Sequence, residues 1–318
     1  MKNIILTTIL LFSFVWSYGQ QEQQYTQFMY NKLGYNPGYA GSHSTACITG
    51  LYRNQWIGIE GAPQTQALSA NIPLMNQRVG VGINLNHHTI GITERWTLDG
   101  AYSYRIPMGR GYLGLGLQGS VRYLGNDYDD PRLESNVAIS LDGAVPVGLQ
   151  NKYVPNFGVG AYYNTERFYI GISVPRLLLN NVDFNDIVGE IGKEVHHGYF
   201  MAGLRMRMTD KVDFQPQILL KYANNAPFDA DVNASLIFND RFTAGLSYRV
   251  GGSTNRAGDS VDLLIGAQLN NQILLGLSYD LTMSELRDNT SGSIELLVRY
   301  CLGSSGNSEE DFVNPRFF

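Results

Sequence analysis

Four of the five histidines come in two doublets, His87–His88 and His196–His197. Imidazoles ligate metal when they converge with further donors. The doublets fall near strand ends five strands apart and have no obvious acidic partner, so no shared metal site is expected. "NDYDDP", Asn126–Pro131, is dense enough in oxygen donors to hold calcium loosely; a plain solvated acidic loop is the reading adopted. "GLGLQG", Gly114–Gly119, spaces glycines closely but within a strand pattern, where they let a sheet pack or bend. No nucleophile motif, phosphate loop or paired-carboxylate pattern stands out. The expectation is a protein that is not an enzyme, with no catalytic, cofactor-binding or metal-binding residue. What remains is a pair of cysteines, Cys47 and Cys301, and a large aromatic set of 20 Tyr and 14 Phe. Their roles depend on the elements that carry them.

Those elements are strands. "QILLGLSYDLTM", Gln272–Met283, puts Ile273, Leu275, Leu277, Tyr279 and Leu281 on one face and Leu274, Gly276, Ser278, Asp280 and Thr282 on the other. "LGLGLQGSVRY" repeats the pattern, with Leu113, Leu115, Leu117, Val121 and Tyr123 opposite Gly114, Gly116, Gln118, Ser120 and Arg122. Fourteen such segments lie between Ala46 and Leu302, many of them about ten residues, the length that crosses a bilayer at a tilt. Alternate connections are short ("LMNQ", "PMGRG", "NTE", "TDK", "ND", "NN"). Several of the others are long, notably Gly125–Pro155 and Arg176–Gly198. Short turns at one end and long loops at the other mark an outer-membrane barrel. The apolar face then meets lipid and the small or polar face lines the lumen. Tyr102, Tyr104, Trp96, Tyr279 and Tyr300 form the interfacial girdle.

Composition agrees. Charged residues make up 16% of the chain, below the quarter or so of soluble domains. The net charge of −5 argues against nucleic acid as a partner. Residues 1–19, with Lys2 and an apolar run from Ile4 to Trp16, read as a signal peptide. After it no apolar run is long enough for a transmembrane helix. The expected organisation is a signal peptide at 1–19, an N-terminal periplasmic or lumenal segment at 20–45, an outer-membrane barrel at 46–302 and a periplasmic tail at 303–318. An even strand count puts both termini in the periplasm. Residues 20–45 are too irregular for a strand and too aromatic for a free tail. Tyr25, Phe28, Met29, Tyr30, Leu33, Tyr35 and Tyr39 need a surface to cover, so the segment is expected to plug the lumen or its mouth. Cys47 and Cys301 lie at the same end of the first and last strands, both with lumenal parity. In a closed barrel those strands are neighbours, so a suitable register allows a disulfide in an oxidising compartment.

The stretches "QYTQFMYNKLGYNPGYAGS", "LYRNQWIGIEGAP", "PNFGVGAYYNTERFYIGISVPRLL" and "SGSIELLVRYC", with the closing "NPRFF", resemble the PorP/SprF family of outer-membrane proteins across nearly all of the mature chain. That resemblance implies a part in type IX secretion and gliding motility. Its implied partners are the C-terminal domain of a secreted surface adhesin, components of the type IX secretion machinery and outer-membrane lipid. The residues themselves mark candidate contacts. Trp56 lies beside an exposed loop. Leu177, Leu178, Leu179, Ile187 and Val188 are apolar residues in a long loop, costly to expose alone. Phe312, Phe317 and Phe318 sit in the sticky tail. The alternative is a small-solute or hydrophobic-compound channel, since "NPGYAG" faintly resembles the plug of fatty-acid transporters.

Overall fold

A computed structural model describes residues 22–133, 148–182, 194–224, 229–251 and 258–303. No helix among them is long and apolar enough to cross a membrane, which leaves the strands to do so. The strands are β1 (Cys47–Asn54), β2 (Gln64–Leu74), β3 (Val79–Ile90), β4 (Thr93–Met108), β5 (Gly111–Asp127), β6 (Leu149–Asn164), β7 (Phe168–Val174), β8 (His197–Leu204), β9 (Met206–Thr209), β10 (Val212–Ala223), β11 (Asp229–Phe238), β12 (Phe242–Val250), β13 (Ser260–Gln268), β14 (Ile273–Thr282) and β15 (Ser293–Cys301). Segments β8 and β9 both pair with β10 and are interrupted only at Arg205. They count as one stave, and the barrel has fourteen. Every neighbouring pair is antiparallel, and β1 pairs with β15 to close the ring. Closure satisfies the backbone groups that an open sheet edge would leave exposed to hydrocarbon.

The two faces separate as the alternation requires. Along β14, Leu275, Tyr279 and Leu281 are exposed while Leu274, Ser278 and Asp280 are buried. The exposed set belongs to lipid, and Tyr102, Tyr104, Trp96, Tyr279 and Tyr300 all point outward. The lumen is not uniformly polar. Leu51, Leu219, Leu264, Leu274 and Leu297 face inward, all on the contiguous wall from β10 round to β1.

Two boundaries differ from the sequence reading. The β5–β6 ladder continues to Asp127 opposite Leu149, so the first long connection spans only residues 128–148. Alternation of residue type fails there, but main-chain pairing does not depend on side-chain type. The β3–β4 connection, on the long-loop side, is only Gly91–Ile92. At the seam, Cys47 faces Cys301 in register, and the structure joins them in a disulfide with Cα atoms 4.0 Å apart.

Candidate functional site

The described N-terminal segment runs through the lumen. Glu22 lies at the long-loop mouth, where it meets Arg122 near the end of β5 and Arg176 just beyond β7. The chain then descends through three short 3-10 turns, Phe28–Tyr30, Lys32–Gly34 and Pro37–Tyr39, to enter β1 at the short-turn mouth. The segment thus runs the length of the lumen before β1 begins, and its first described residue, Glu22, lies at the mouth opposite the start of β1; the terminus before it lies outside the described residues. At the other end, Cys301 closes β15 at the short-turn mouth.

The segment's side chains fill the interior. Tyr25, Phe28, Met29, Tyr30, Leu33, Tyr35 and Tyr39 are buried in one cluster with the five inward leucines and with Tyr162, Tyr169, Tyr199 and Met201 of the barrel wall. Tyr35 packs edge-on against Tyr25 and Tyr199, and Tyr39 against Tyr162, an arrangement that aromatic quadrupoles favour. The Lys32 ammonium lies 3.9 Å from the centre of the Tyr169 ring.

On the wall formed by β14, β15 and β1, the contacts are ionic. Arg53 lies 2.7 Å from Asp280 and 3.2 Å from Glu295, all three nearly or wholly buried. The Glu295 carboxylate accepts the backbone N–H of Thr26 at 3.0 Å and of Gln27 at 2.8 Å. The Thr26 hydroxyl lies 2.8 Å from Asp280 and 2.9 Å from Arg53. Three strands thus clamp two consecutive residues through charge-assisted hydrogen bonds, the stronger kind.

On the wall formed by β4 to β7, the contact is steric. Gly114 and Gly116 face the lumen, and a Cβ on either would collide with the backbone of Pro37 or Gly38. Gly160 leaves room for the side chains of Asn36 and Pro37. The Asn36 amide donates to the carbonyls of Ala161 at 3.0 Å and Ile172 at 3.3 Å, while its oxygen accepts from Gly38 N–H at 2.8 Å. Ser173 donates to Tyr35 O at 2.7 Å and Ser103 to Gly38 O at 3.2 Å. The glycines of "GLGLQG" thus seat a second stretch of chain. The signal for this was their lumenal parity opposite a proline- and asparagine-rich turn.

Arg53 and Glu295 are not among the residues named in the sequence, and Asp280 is named there only as lumenal. Their detectable signal is charge on a lumenal parity in a chain with few charges. Of the residues that were singled out, Trp56 sits at the long-loop mouth between two clefts of about 560 and 430 Å³. Its φ is 51°, a left-handed backbone that is costly for a bulky side chain. Leu177, Leu178 and Leu179 are exposed. They run beside β6, with Leu177 N–H donating to Phe157 O at 2.8 Å. Phe157 itself points outward. The structure does not bring Trp56 and this leucine run into one cleft. Ile187, Val188, Phe312, Phe317 and Phe318 lie outside the described residues.

The histidines have local partners. His87 stacks on Trp96 and lies 2.9 Å from Glu94, an acidic partner that the sequence did not make obvious. His88 bonds Thr65, and His196 bonds Leu177 O. Among the described residues no group of three or more His, Cys, Asp and Glu could hold a metal ion. In "NDYDDP" the carboxylates engage their own loop: Asp130 pairs with Arg132 at 2.6 Å, and Asp129 accepts from Gly148 N–H.

A closed antiparallel barrel with an apolar outer face and a lumen occupied by its own chain is an outer-membrane β-barrel protein. This one belongs to the PorP/SprF family, described as type IX secretion system membrane protein PorP/SprF, whose family model matches residues 17–300. Among curated proteins none matches it. Among solved structures it is similar to the outer membrane protein Omp33 of Acinetobacter baumannii, at 8% identity and a TM-score of 0.46, over 82% of this chain and 100% of that one. It is also similar to the CymD monoaromatic hydrocarbon channel, at 10% identity and a TM-score of 0.47, over 91% and 96%. For the TodX deltaS2S3 mutant monoaromatic hydrocarbon channel the values are 12% and 0.46, over 84% and 92%. Likeness at this level carries nothing about function.

Proposed function

We propose that the protein is a non-enzymatic outer-membrane partner of the type IX secretion system that binds the C-terminal domain of a secreted surface adhesin and helps to export and anchor it. The long-loop mouth faces the exterior and the short-turn mouth the periplasm, as is general for such barrels. The observation that carries the reading is the occupied lumen. Aromatic rings, a buried ionic clamp and a backbone-to-glycine fit take up lumenal space, which supports reading the two mouths, and not a solute path, as the working surfaces.

The outer mouth offers the cleft of about 560 Å³ beside Trp56, lined also by Pro63, Ile90 and Leu286. A strained backbone at an aromatic residue in a cleft is a pattern found at binding sites, and large aromatics are frequent anchors of interfaces. At the inner mouth, a cleft of about 1110 Å³ carries Arg105, Arg110, Arg167, Arg205 and Arg207 among its lining. Together with the tail residues Phe312, Phe317 and Phe318, it is the surface for periplasmic components of the machine.

Pull-down of the tagged barrel from native membranes tests the reading. An adhesin C-terminal domain should co-purify, and Trp56→Ala should weaken its capture about tenfold. Planar-bilayer recordings on the same material should show no large steady conductance. A steady channel with no captured adhesin would overturn the proposal in favour of solute transport.

A further inference from the structure

Glu22, the first described residue of the lumenal segment, sits in a constructed site. Its Oε1 lies 2.8 Å from Arg122 and 2.9 Å from Arg176. The two arginines come from separate elements, the lumenal face of β5 and the first residues after β7, and both are buried. Arg122 also holds Glu194 at 3.0 Å, and Glu194 is fixed in turn by Asn156 at 2.8 Å and Asn180 at 2.9 Å. Arg95, on the strand next to Arg122, interacts electrostatically with both Arg122 and Glu22. The Nε atoms of Arg95, Arg122 and Arg176 are buried and have no hydrogen-bond partner among the described residues. A buried donor without an acceptor is costly. Three of them around one carboxylate mean that the arginines have more donors than Glu22 and Glu194 use.

The occupant of the site borders open space. Glu22, Gln23 and Gln24 form one wall of the cleft of about 560 Å³ that opens at the long-loop mouth. Arg122 and Arg176 do not themselves line it, so a competing carboxylate would reach them by displacing Glu22, with Gln24 tied to Asp229 at 2.7 Å and Thr26–Gln27 clamped on Glu295 further along. Burial alone would raise the Glu22 carboxyl; Arg122 and Arg176, together with His197 and Arg95, outweigh it and hold the group well below the usual carboxylate range. The site therefore selects the ionised form.

We propose that Arg122 and Arg176 form a carboxylate-binding site at the long-loop mouth, occupied at rest by the protein's own Glu22 and taken over by a carboxylate of an arriving polypeptide. A planar guanidinium pair recognises a carboxylate by geometry as well as charge. The inference deepens the cargo-binding reading and rests on it only for the source of the carboxylate, an acidic side chain or the C-terminus of the exported chain.

The test uses the purified full-length barrel with Glu22→Ala. Three short peptides serve as probes: an amidated peptide carrying one Glu, an apolar peptide with a free C-terminus, and the amidated twin of the latter. The variant should bind a carboxylate-bearing peptide at least tenfold more tightly than the twin. The native protein, where Glu22 competes, should bind it at least tenfold more weakly than the variant does. Adding Arg176→Gln should abolish the preference. Which carboxylate peptide binds identifies a side-chain or C-terminal source. If Glu22→Ala does not assemble, Glu22→Gln replaces it, with heat-modifiable gel mobility as the check on folding. A folded variant with no preference for carboxylate over amide overturns the site. Carboxylate binding without adhesin capture would overturn the cargo reading and leave this site standing. Adhesin capture with no carboxylate preference, unaffected by Arg176→Gln, would do the reverse.

Discussion

The lumen grips one stretch of chain by two opposite means. The wall of β14, β15 and β1 uses charge: Arg53, Asp280 and Glu295 surround Thr26 and Gln27 at hydrogen-bond distances. The wall of β4 to β7 uses absence. Gly114, Gly116 and Gly160 leave space into which Asn36, Pro37 and Gly38 fit, and the hydrogen bonds around them come from neutral groups. Arg105 is an exception at the short-turn end, where it donates to Gly41 O. The two walls should fail differently. A charged wall is sensitive to losing one partner, because the others stay buried and uncompensated. A glycine wall is sensitive to gaining an atom, because backbone cannot swing aside as a side chain does.

Removing the charge from the first wall should have the largest effect. Arg53→Met leaves Asp280 and Glu295 facing each other with no cation between them, a loss of about 3–5 kcal/mol by analogy with broken buried pairs. Urea titration of folding into lipid vesicles measures it, and a loss below about 1 kcal/mol would mean that the clamp is solvated. Filling the second wall should come next. Gly116→Leu places carbon where Pro37 and Gly38 pass, at a cost of about 1–3 kcal/mol by the usual penalty for overpacking. The diagnostic readout is different here: the segment should leave the glycine wall, so protease should cleave between residues 22 and 46 and bilayers should show conductance. Arg53→Met with its glycine wall intact should show less of both.

A smaller change on the second wall probes its polar contacts. Asn36→Ala removes the two donations to Ala161 and Ile172 and the acceptor for Gly38 N–H, and should cost about 1 kcal/mol, the usual net value of such bonds. The smallest effect belongs to pH. The Glu22 carboxyl is held below its ordinary range by Arg122 and Arg176. Its contribution is present above the ordinary carboxylate pKa and is lost as pH falls through the lowered one. Protease access to residues 22–25 should therefore rise on acidification in the native protein and be flat with pH in Glu22→Gln.

Much of this was legible in the residues. The alternation of Ile273 to Thr282 determined which side chains meet lipid, because a strand puts successive residues on opposite faces whatever surrounds it. The loop-length asymmetry separated the two mouths, and the aromatic density of residues 25–39 required a surface to cover. Parity put Cys47 and Cys301 on the same lumenal side. Other features were decided only by the closed barrel. Which residues of separate strands stand opposite depends on register, and register brings Arg53, Asp280 and Glu295 together from positions more than two hundred residues apart in sequence. The direction of the N-terminal segment, with Glu22 at the far mouth, is not a property of its composition. It follows from where the lumen offers glycines, inward leucines and a buried carboxylate, and those surfaces exist only once the fourteen staves have closed around the chain.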